Sequence, residues 1–138
     1  MSAGNTGTGD IMEQMILPAM ARGGYRFRRK VRIGTRFGVG RHIVDGLAEK
    51  DGRRILVSLK WQQVPGTAEQ KVPFEILSLI EAMAGGGFAR AYVVLGGPGW
   101  KFKEFYLSGR LREYIPRASS VEVATLDDFV GRANQGKL

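Results

Sequence analysis

The segment that most constrains the fold is the run ARAYVVL at residues 89–95, which is almost uninterrupted in its apolar character. Glycine-rich segments bound it at residues 85–87 and 96–99. A short apolar run between such breakers is typical of a strand that is buried on both faces. Segments with helical character precede it at residues 67–84 and follow it at residues 101–114. The run therefore predicts a central sheet that is covered by helices.

The remaining patterns predict an α/β chain with a single mixed central sheet, in the order helix, three-strand meander, helix, strand, helix, strand, helix. Asp10 and Glu13 form a capping-box pattern that predicts the start of the first helix, and Gly23-Gly24 predict its end. We expect strands at residues 25–32, 41–48, 54–61, 89–95 and 121–124, with a glycine-rich turn region at residues 34–40. Later helices are expected at residues 67–84, 101–114 and 126–133, with Thr67 and Thr125 as the N-caps of the first and last of them. Residues 1–9 are expected to be flexible, and residues 10–138 to form one domain.

The residue types that the chain lacks exclude several classes of chemistry. It contains no cysteine, which excludes disulfides and thiolate zinc sites, and a single histidine, His42, which excludes His-rich metal sites. We expect His42 to be a strand or surface residue rather than a catalyst. Any metal would be held by carboxylate and backbone oxygens, which favours Mg²⁺, with Mn²⁺ as a substitute. No apolar run reaches the length of a membrane span, and the glycine-rich start does not resemble a signal peptide, so a cytoplasmic location is expected.

Positive charge is concentrated in one segment, at residues 22–60. This segment carries 12 of the 21 basic residues but only three of the 13 acidic ones, while the whole chain has a net charge of +8. Such a depletion of acids beside an enrichment of bases predicts a surface that binds a polyanion. In the simpler alternative, these charged side chains only solvate the exposed face of a strand. We expect contacts with DNA phosphates from the arginine-rich part, namely from Arg26, Arg28, Arg29, Lys30, Arg32, Arg36 and Arg41.

An acid and an amine lie on neighbouring strands of the predicted meander. Asp45 interrupts the apolar strand at residues 41–48, and Lys60 ends the strand at residues 54–61. The Asp51-Gly52 pair predicts a type I′ turn between the two strands, although a loop of about five residues leaves their register open. A carboxylate that holds a metal beside an amine is a suitable arrangement for phosphodiester hydrolysis. In the simpler interpretation, Asp45 pairs with an arginine and Lys60 extends to solvent from the strand end.

Together, these residues resemble the PD-(D/E)xK nuclease superfamily. The resemblance rests on Asp45 in the VDG segment, on Ser58-Leu59-Lys60 with Gln62 after it, and on the order of elements over about residues 10–95. The segment KWQQVPGTAEQKVPFE, residues 60–75, is similar to that of restriction-endonuclease-like members. The resemblance implies a Mg²⁺-dependent DNA endonuclease. Its metal would be held by Asp45, a second acid and the Leu59 carbonyl, Lys60 would position the attacking water, and Gln62 would bind substrate.

One position departs from the family pattern, since Ser58 stands where an Asp or Glu usually precedes the lysine by two residues. A serine does not replace a carboxylate as a metal ligand. Some Ser-x-Lys restriction enzymes of the superfamily take this acid from the following helix, where Glu69 and Glu75 are candidates. Helical phase favours Glu69, which lies on the apolar stripe, whereas Glu75 falls about 120° away. Resemblance to the Ser-x-Lys enzymes favours Glu75, and Glu69 could instead stabilise the helix start. Of the two, we expect Glu69 to be the second metal ligand, with Glu75 as the alternative.

Two nuclease classes fit this resemblance, and two other functions remain as alternatives. The small size favours a structure-directed nuclease similar to the dimeric Holliday junction resolvases, and the segment at residues 60–75 favours a compact restriction enzyme. A homodimer would supply two active sites for two strands. Alternatively, the departure at Ser58 indicates an inactive nucleic-acid-binding module. The third possibility is a structural subunit whose basic face binds an acidic protein.

Overall fold

The computed structural model describes residues 9–138, which form one five-stranded sheet in the spatial order β1-β2-β3-β4-β5. The first three strands are antiparallel neighbours, whereas β3, β4 and β5 run parallel. The predicted mixed sheet is therefore confirmed. Its strands are β1 (Arg26–Arg36), β2 (Val39–Lys50), β3 (Arg53–Trp61), β4 (Arg90–Gly96) and β5 (Glu122–Thr125).

Helices cover both faces of this sheet. A π-helical turn (Met12–Ile16) leads into α1 (Leu17–Gly23), α2 is Ala68–Ala84, the short α3 is Lys103–Leu107, and α4 is Leu126–Asn134. On one face, α1 and α4 pack with Ile55, Val57 and Leu59 of β3. On the other face, α2 packs over Leu56. Because neighbouring strand residues point to opposite faces, Ser58 and Lys60 lie on the same face as α2.

The long hairpin β1–β2 differs most from the sequence prediction. Residues 34–40 were predicted to be a turn region, but both strands extend into it and only Phe37-Gly38 connect them. Both connecting residues have positive φ, of 53° and 80°, as a type I′ turn requires. The hairpin is therefore long enough to reach α2, where the Phe37 N–H donates to Glu81 Oε1 at 2.8 Å.

The second hairpin fixes the register that the sequence left open. Asp51 and Gly52 have φ of 52° and 77° and form the predicted turn, but the loop has two residues rather than about five. Regular pairing of β2 with β3 runs from Lys50↔Arg53 to Gly46↔Val57 and stops there. Asp45 is therefore the first residue of β2 beyond the paired segment.

The crossover through α2 places the ends of β3 and β4 together. These strands pair in parallel from Ile55↔Arg90 to Trp61↔Gly96, so Lys60 lies beside Leu95 at the carboxyl end of the sheet. Loops at this end pack closely, since the Gln62 N–H donates to the Gly96 carbonyl and the Gly99 N–H donates to the Gln62 carbonyl. The carboxyl end of parallel strands is where α/β proteins usually bind ligands.

Several local predictions need correction. Asp10 lies inside the helical segment rather than at its N-cap, because the helix already includes Gly9. Thr67 is the N-cap of α2 but makes no side-chain capping bond, whereas Thr125 caps α4 as predicted by accepting from the Asp128 N–H at 3.1 Å. The predicted helix at residues 101–114 is only α3 plus a 3₁₀ turn (Arg110–Glu113), because Gly109 has a φ of 78°. Residues 1–8, which belong to the predicted flexible start, lie outside the described residues.

A search of the described helices for a bilayer-spanning segment found no candidate of sufficient length and apolar character.

Candidate active site

Asp45 occupies the point where β2 and β3 separate. Its Oδ2 accepts a hydrogen bond from the Leu59 N–H at 2.6 Å. The side chain thus takes over the Leu59 donor just beyond the last regular pair, Gly46↔Val57. This contact holds the carboxylate against β3, one residue before Lys60.

Glu75 brings a second carboxylate to β3 from the middle of α2. Its Oε2 lies 2.8 Å from the Ser58 hydroxyl, which donates to it, and 3.5 Å from Lys60 Nζ. The position that carries an acid in the family pattern is therefore in direct contact with an acid from the helix. Glu75 itself is buried.

Two further donors from the β1–β2 hairpin reach the other oxygen of Glu75. Arg36 Nη1 lies 2.8 Å from Oε1, and His42 Nε2 lies 3.1 Å from it. Since a carboxylate only accepts hydrogen bonds, His42 must carry a proton on Nε2 in this contact. His42 is 1% exposed, so the ring is a fixed part of the network.

The pKa values of the two carboxyl groups are shifted in opposite directions. Burial raises the pKa of Asp45, and the Leu59 N–H and the charge of Lys60 offset only part of that increase. Burial also acts to raise the pKa of Glu75, but hydrogen bonds from His42 and Arg36, the Lys60 charge and the Ser58 hydroxyl outweigh it and hold the pKa far below its ordinary value. Glu75 is thus ionised at all physiological pH values, and its charge in turn raises the pKa of Asp45.

This donor set is compatible with a hard divalent cation. Asp45 is a desolvated acid close enough to Glu75 to feel its negative charge, and a cation between them would relieve that repulsion. Mg²⁺ commonly uses one or two carboxylates and keeps several waters. Within residues 9–138, however, no three His, Asp or Glu side chains already form a cluster suited to a metal, so water or substrate oxygens would have to complete the coordination.

Glu69 and Gln62 belong to a separate network. Glu69 Oε1 accepts from Gln62 Nε2 at 3.1 Å and from the Lys101 N–H, and its Oε2 accepts from the Phe102 N–H at 3.1 Å. Gln62 Nε2 also donates to the Gly99 carbonyl at 2.8 Å. The structure therefore brings Glu69 to the loop that follows β4 and brings Glu75, not Glu69, to Lys60.

The helical-phase argument did not predict the burial of Glu75, because it assumed that only one stripe of α2 is covered by the rest of the protein. Glu69, Val72, Ile76 and Leu79 face the sheet as expected, but Glu75 and Ser78 are buried as well. The long β1–β2 hairpin covers this second stripe, through Arg36 and His42. The helix is continuous through Pro73.

The seven basic residues expected to bind DNA lie in different environments. Arg26 and Arg28 approach Glu49 at 3.4 and 3.8 Å, and Arg29 approaches Glu13 at 3.5 Å. Glu13 therefore contacts β1 instead of capping its own helix. Arg36 binds Glu75. The remaining three are exposed and form no ion pair within residues 9–138, and they are Lys30, Arg32 and Arg41.

Sequence reasoning missed two members of the Glu75 network. Arg36 was assigned only to DNA contact, and His42 was expected to have no part in a site. Strand alternation placed His42 on the same side as the apolar Val44, and a polar side chain on an apolar face was the available signal. For Arg36 no such signal existed, because its contact depends on the length of the hairpin.

Comparisons with known proteins agree with this architecture. The sequence pattern of a PD-(D/E)XK nuclease superfamily domain matches residues 4–137, nearly the whole chain. No curated protein matches the sequence. Among solved structures, the crystal structure of a protein of unknown function, AF1548, is similar with a TM-score of 0.51 and 13% identity. The similarity covers 80% of this chain and 54% of that protein, so the chain spans about half its length.

Proposed function

The chain belongs to the PD-(D/E)XK nuclease superfamily, and we propose that it is a metal-dependent DNA endonuclease. The observation that carries this proposal is the contact of Glu75 with both Ser58 and Lys60, at 2.8 and 3.5 Å. In this proposal, Glu75 of α2 takes the place of the acid that the family pattern has on β3 and that this chain lacks there. The proposed site therefore has an Asp, a Glu and a Lys around the carboxyl end of β3.

In this proposal, Asp45, Glu75 and the Leu59 carbonyl hold the divalent cation, which is Mg²⁺ or Mn²⁺. A bound cation supplies positive charge beside the scissile phosphate and favours deprotonation of the attacking water. Lys60 orients that water and stabilises the charge that develops on the phosphate. Arg36 and His42 fix the Glu75 carboxylate by holding Oε1, which leaves Oε2 directed at Ser58 and Lys60. Glu69 and Gln62 position the loops at this end of the sheet.

The proposed substrate is DNA, whose phosphates contact exposed basic side chains of the β1–β2 hairpin, namely Lys30, Arg32 and Arg41. A homodimer in the cytoplasm, cutting two strands with two sites, remains part of the proposal, as does the choice between a junction-directed and a restriction-type enzyme. Cleavage of a four-way junction compared with cleavage of a linear duplex distinguishes those two types.

Incubation of plasmid and branched DNA with Mg²⁺ tests the nuclease activity. We expect wild-type protein to cut, and Asp45→Asn, Glu75→Gln and Lys60→Ala each to reduce the rate at least 100-fold, as is typical when a positioned charge is removed. Glu122→Gln is the matched control, since it neutralises another ion-paired acid, which contacts Arg90 and Arg132 at the start of β5 and away from Lys60, and it should retain cutting. Equal rates in all five proteins would contradict the proposal.

An inactive nucleic-acid-binding module is the second candidate. It is favoured by the saturation of Glu75, whose oxygens already have three hydrogen-bond partners and the Lys60 ammonium beside them, and by the absence of a ready metal cluster within residues 9–138. This candidate predicts salt-sensitive DNA binding that needs no divalent metal, with no cutting in Mg²⁺ or Mn²⁺. Isothermal titration with Mn²⁺ distinguishes the two, because only the nuclease should bind the ion in a manner that requires Asp45 and Glu75.

A further inference from the structure

Two phenylalanine rings form an exposed aromatic pair next to the candidate active site. Phe37 at the tip of the β1–β2 hairpin is 50% exposed, and Phe74 on α2 is 51% exposed. Their ring centroids lie 6.2 Å apart with the planes tilted by 56°. Single exposed apolar residues are common on protein surfaces, but a contacting pair of exposed aromatic rings indicates a binding surface.

The backbone at Phe37 makes its exposure more informative. Its φ of 53° belongs to the left-handed region, where Asn and Gly are favoured and a bulky ring is an outlier. The hydrogen bond from its N–H to Glu81 holds the turn against α2. Neighbouring contacts thus maintain an unfavourable conformation that leaves the ring in solvent, a pattern that accumulates at functional sites.

The pair adjoins the proposed catalytic carboxylate through one arginine. The Arg36 guanidinium lies 5.6 Å from the centre of the Phe74 ring, and its Nη1 is 2.8 Å from Glu75 Oε1. Exposed Arg32 and Arg41 lie on the two strands of the same hairpin. The nearby acid Glu81 already accepts the Phe37 N–H. The rings therefore lie beside the Arg36 guanidinium, on a hairpin whose strands carry further positive charge that suits a phosphate backbone.

We propose that Phe37 and Phe74 form an aromatic platform that stacks on unpaired bases, so that the substrate is DNA with a single-stranded segment such as a splayed arm or an open junction. This inference rests on the proposed nuclease function and names its substrate class. Bases inside a duplex use their faces to stack on each other, whereas unpaired bases offer those faces to aromatic side chains. Positive groups beside the rings bind the phosphates between such bases.

A second copy of this chain is a less suitable occupant of the platform. A two-fold contact through these rings would repeat the same surface on both sides. It would therefore bring Arg32, Arg36 and Arg41 of each copy near the same residues of the other, and like charges would oppose the contact. Nucleic acid instead neutralises them.

Binding of two matched DNAs in EDTA tests the platform without requiring cleavage. One DNA has a splayed single-stranded arm with 2-aminopurine, and the other has the same sequence fully paired. The test variant is Phe37→Asn with Phe74→Ala, in which Asn suits the turn. We expect it to bind the splayed arm about tenfold more weakly than wild type, to lose the quenching of 2-aminopurine and to bind the duplex as wild type does. Phe102→Ala removes another exposed ring, 58% exposed, and should change nothing.

Three outcomes would overturn the platform. These are an equal loss of affinity for both DNAs, no quenching by wild-type protein, and a change from dimer to monomer in the variant, which would assign the rings to a second copy. Cleavage in Mg²⁺ is measured separately on both DNAs. If neither DNA is cut, the nuclease proposal is contradicted, while selective quenching would still support base stacking.

Discussion

At the scale of single residues, Glu75 and Asp45 make opposite contributions to the stability of the fold. Glu75 has three hydrogen-bond donors and the charge of Lys60 beside it, and these lower its pKa, so its ionised form stabilises the folded state. Asp45 is buried with a raised pKa, so its ionised form is disfavoured by folding. Functional sites commonly contain a charged residue that reduces the stability of the fold.

We expect Asp45→Asn to raise the urea midpoint of unfolding at pH 7 in EDTA, because Asn retains an acceptor for the Leu59 N–H without the buried charge. The Asp45 penalty is present above its folded pKa and disappears as the pH falls to the unfolded value of 3.8. The difference between variant and wild type should therefore shrink between pH 7 and pH 4. A lower midpoint for the variant at pH 7 would show that the charge stabilises the fold.

Glu75→Gln should have the opposite effect and reduce the free energy of unfolding at pH 7 by about 2 kcal/mol, since Arg36 and Lys60 lose a charged partner. The stability that Glu75 provides is complete above its unfolded pKa of 4.5 and is lost as the pH falls below that value toward the lower folded pKa. Urea unfolding of both proteins at pH 7 and pH 3.5 measures this. An unchanged difference at pH 3.5 would contradict it.

Relocating the acid tests whether Ser58 and Glu75 share one function. We expect Glu75→Ser to lose at least 100-fold in cleavage rate and the double variant Ser58→Asp with Glu75→Ser to recover at least tenfold, because the two side chains are 2.8 Å apart. Ser58→Asp alone should not increase activity, since it places two carboxylates in one space. No recovery in a folded double variant would indicate that the acid must come from α2.

At the scale of elements, the loops after β3 and β4 depend on glycines that allow close approach. A Cβ added to Gly97, whose φ is 88°, would lie 2.4 Å from the Gln62 carbonyl oxygen, and one at Gly99 would lie 2.5 Å from the Val64 backbone. These contacts fix the chain that leaves Lys60. The position of the amine is therefore coupled to the loop after the neighbouring strand.

We expect Gly97→Ala to reduce the free energy of unfolding by at least about 2 kcal/mol, because backbone must move and positive φ is disfavoured for alanine. Gly131→Ala is the matched control, since nothing lies within 4 Å of its Cβ position in α4. It should be stabilising by about 0.5–1 kcal/mol. Thermal and urea unfolding measure both, and equal effects would show that the loop tolerates the shift.

The sequence predicted elements well where local chemistry determines them. The apolar run of β4, the Asp51-Gly52 turn and the Thr125 cap depend on residues close in the chain, and the structure confirms all three. The environment of Glu75 was not predictable in this way. It depends on how far the β1–β2 hairpin reaches over α2. The sequence does not indicate that length, because its turn has Phe37 where a type I′ turn usually has Asn, Asp or Gly.

At the scale of the whole molecule, the arginines of the basic segment at residues 22–60 differ in whether they form ion pairs within the protein. Some arginines are held by acids of the protein, as Arg26 is by Glu49, whereas Arg32 and Arg41 extend into solvent. The count of 12 basic residues in this segment therefore overstates the number of groups that are available to meet phosphates. Salt dependence of binding measures that number.

We expect the double variant Arg32→Gln with Arg41→Gln to weaken DNA binding at low salt and to reduce the slope of log K against log salt by about 2, one for each phosphate contact. Arg22→Gln is the control, because Arg22 belongs to the same basic segment but its Nε donates to Asn134 at 2.7 Å. Fluorescence anisotropy from 50 to 300 mM salt measures the slopes. Equal slopes in the variant and wild type would place the DNA on another surface.

The Ser58–Glu75 hydrogen bond also has a consequence for how members of this superfamily are recognised. A signature that requires an acidic letter two places before the lysine rejects this chain, although a carboxylate occupies that space in three dimensions. Distant homologues that look degenerate in linear alignments therefore warrant inspection of the helix that follows the lysine strand. A glutamate within bonding reach of the substituted side chain is the criterion by which to retain them.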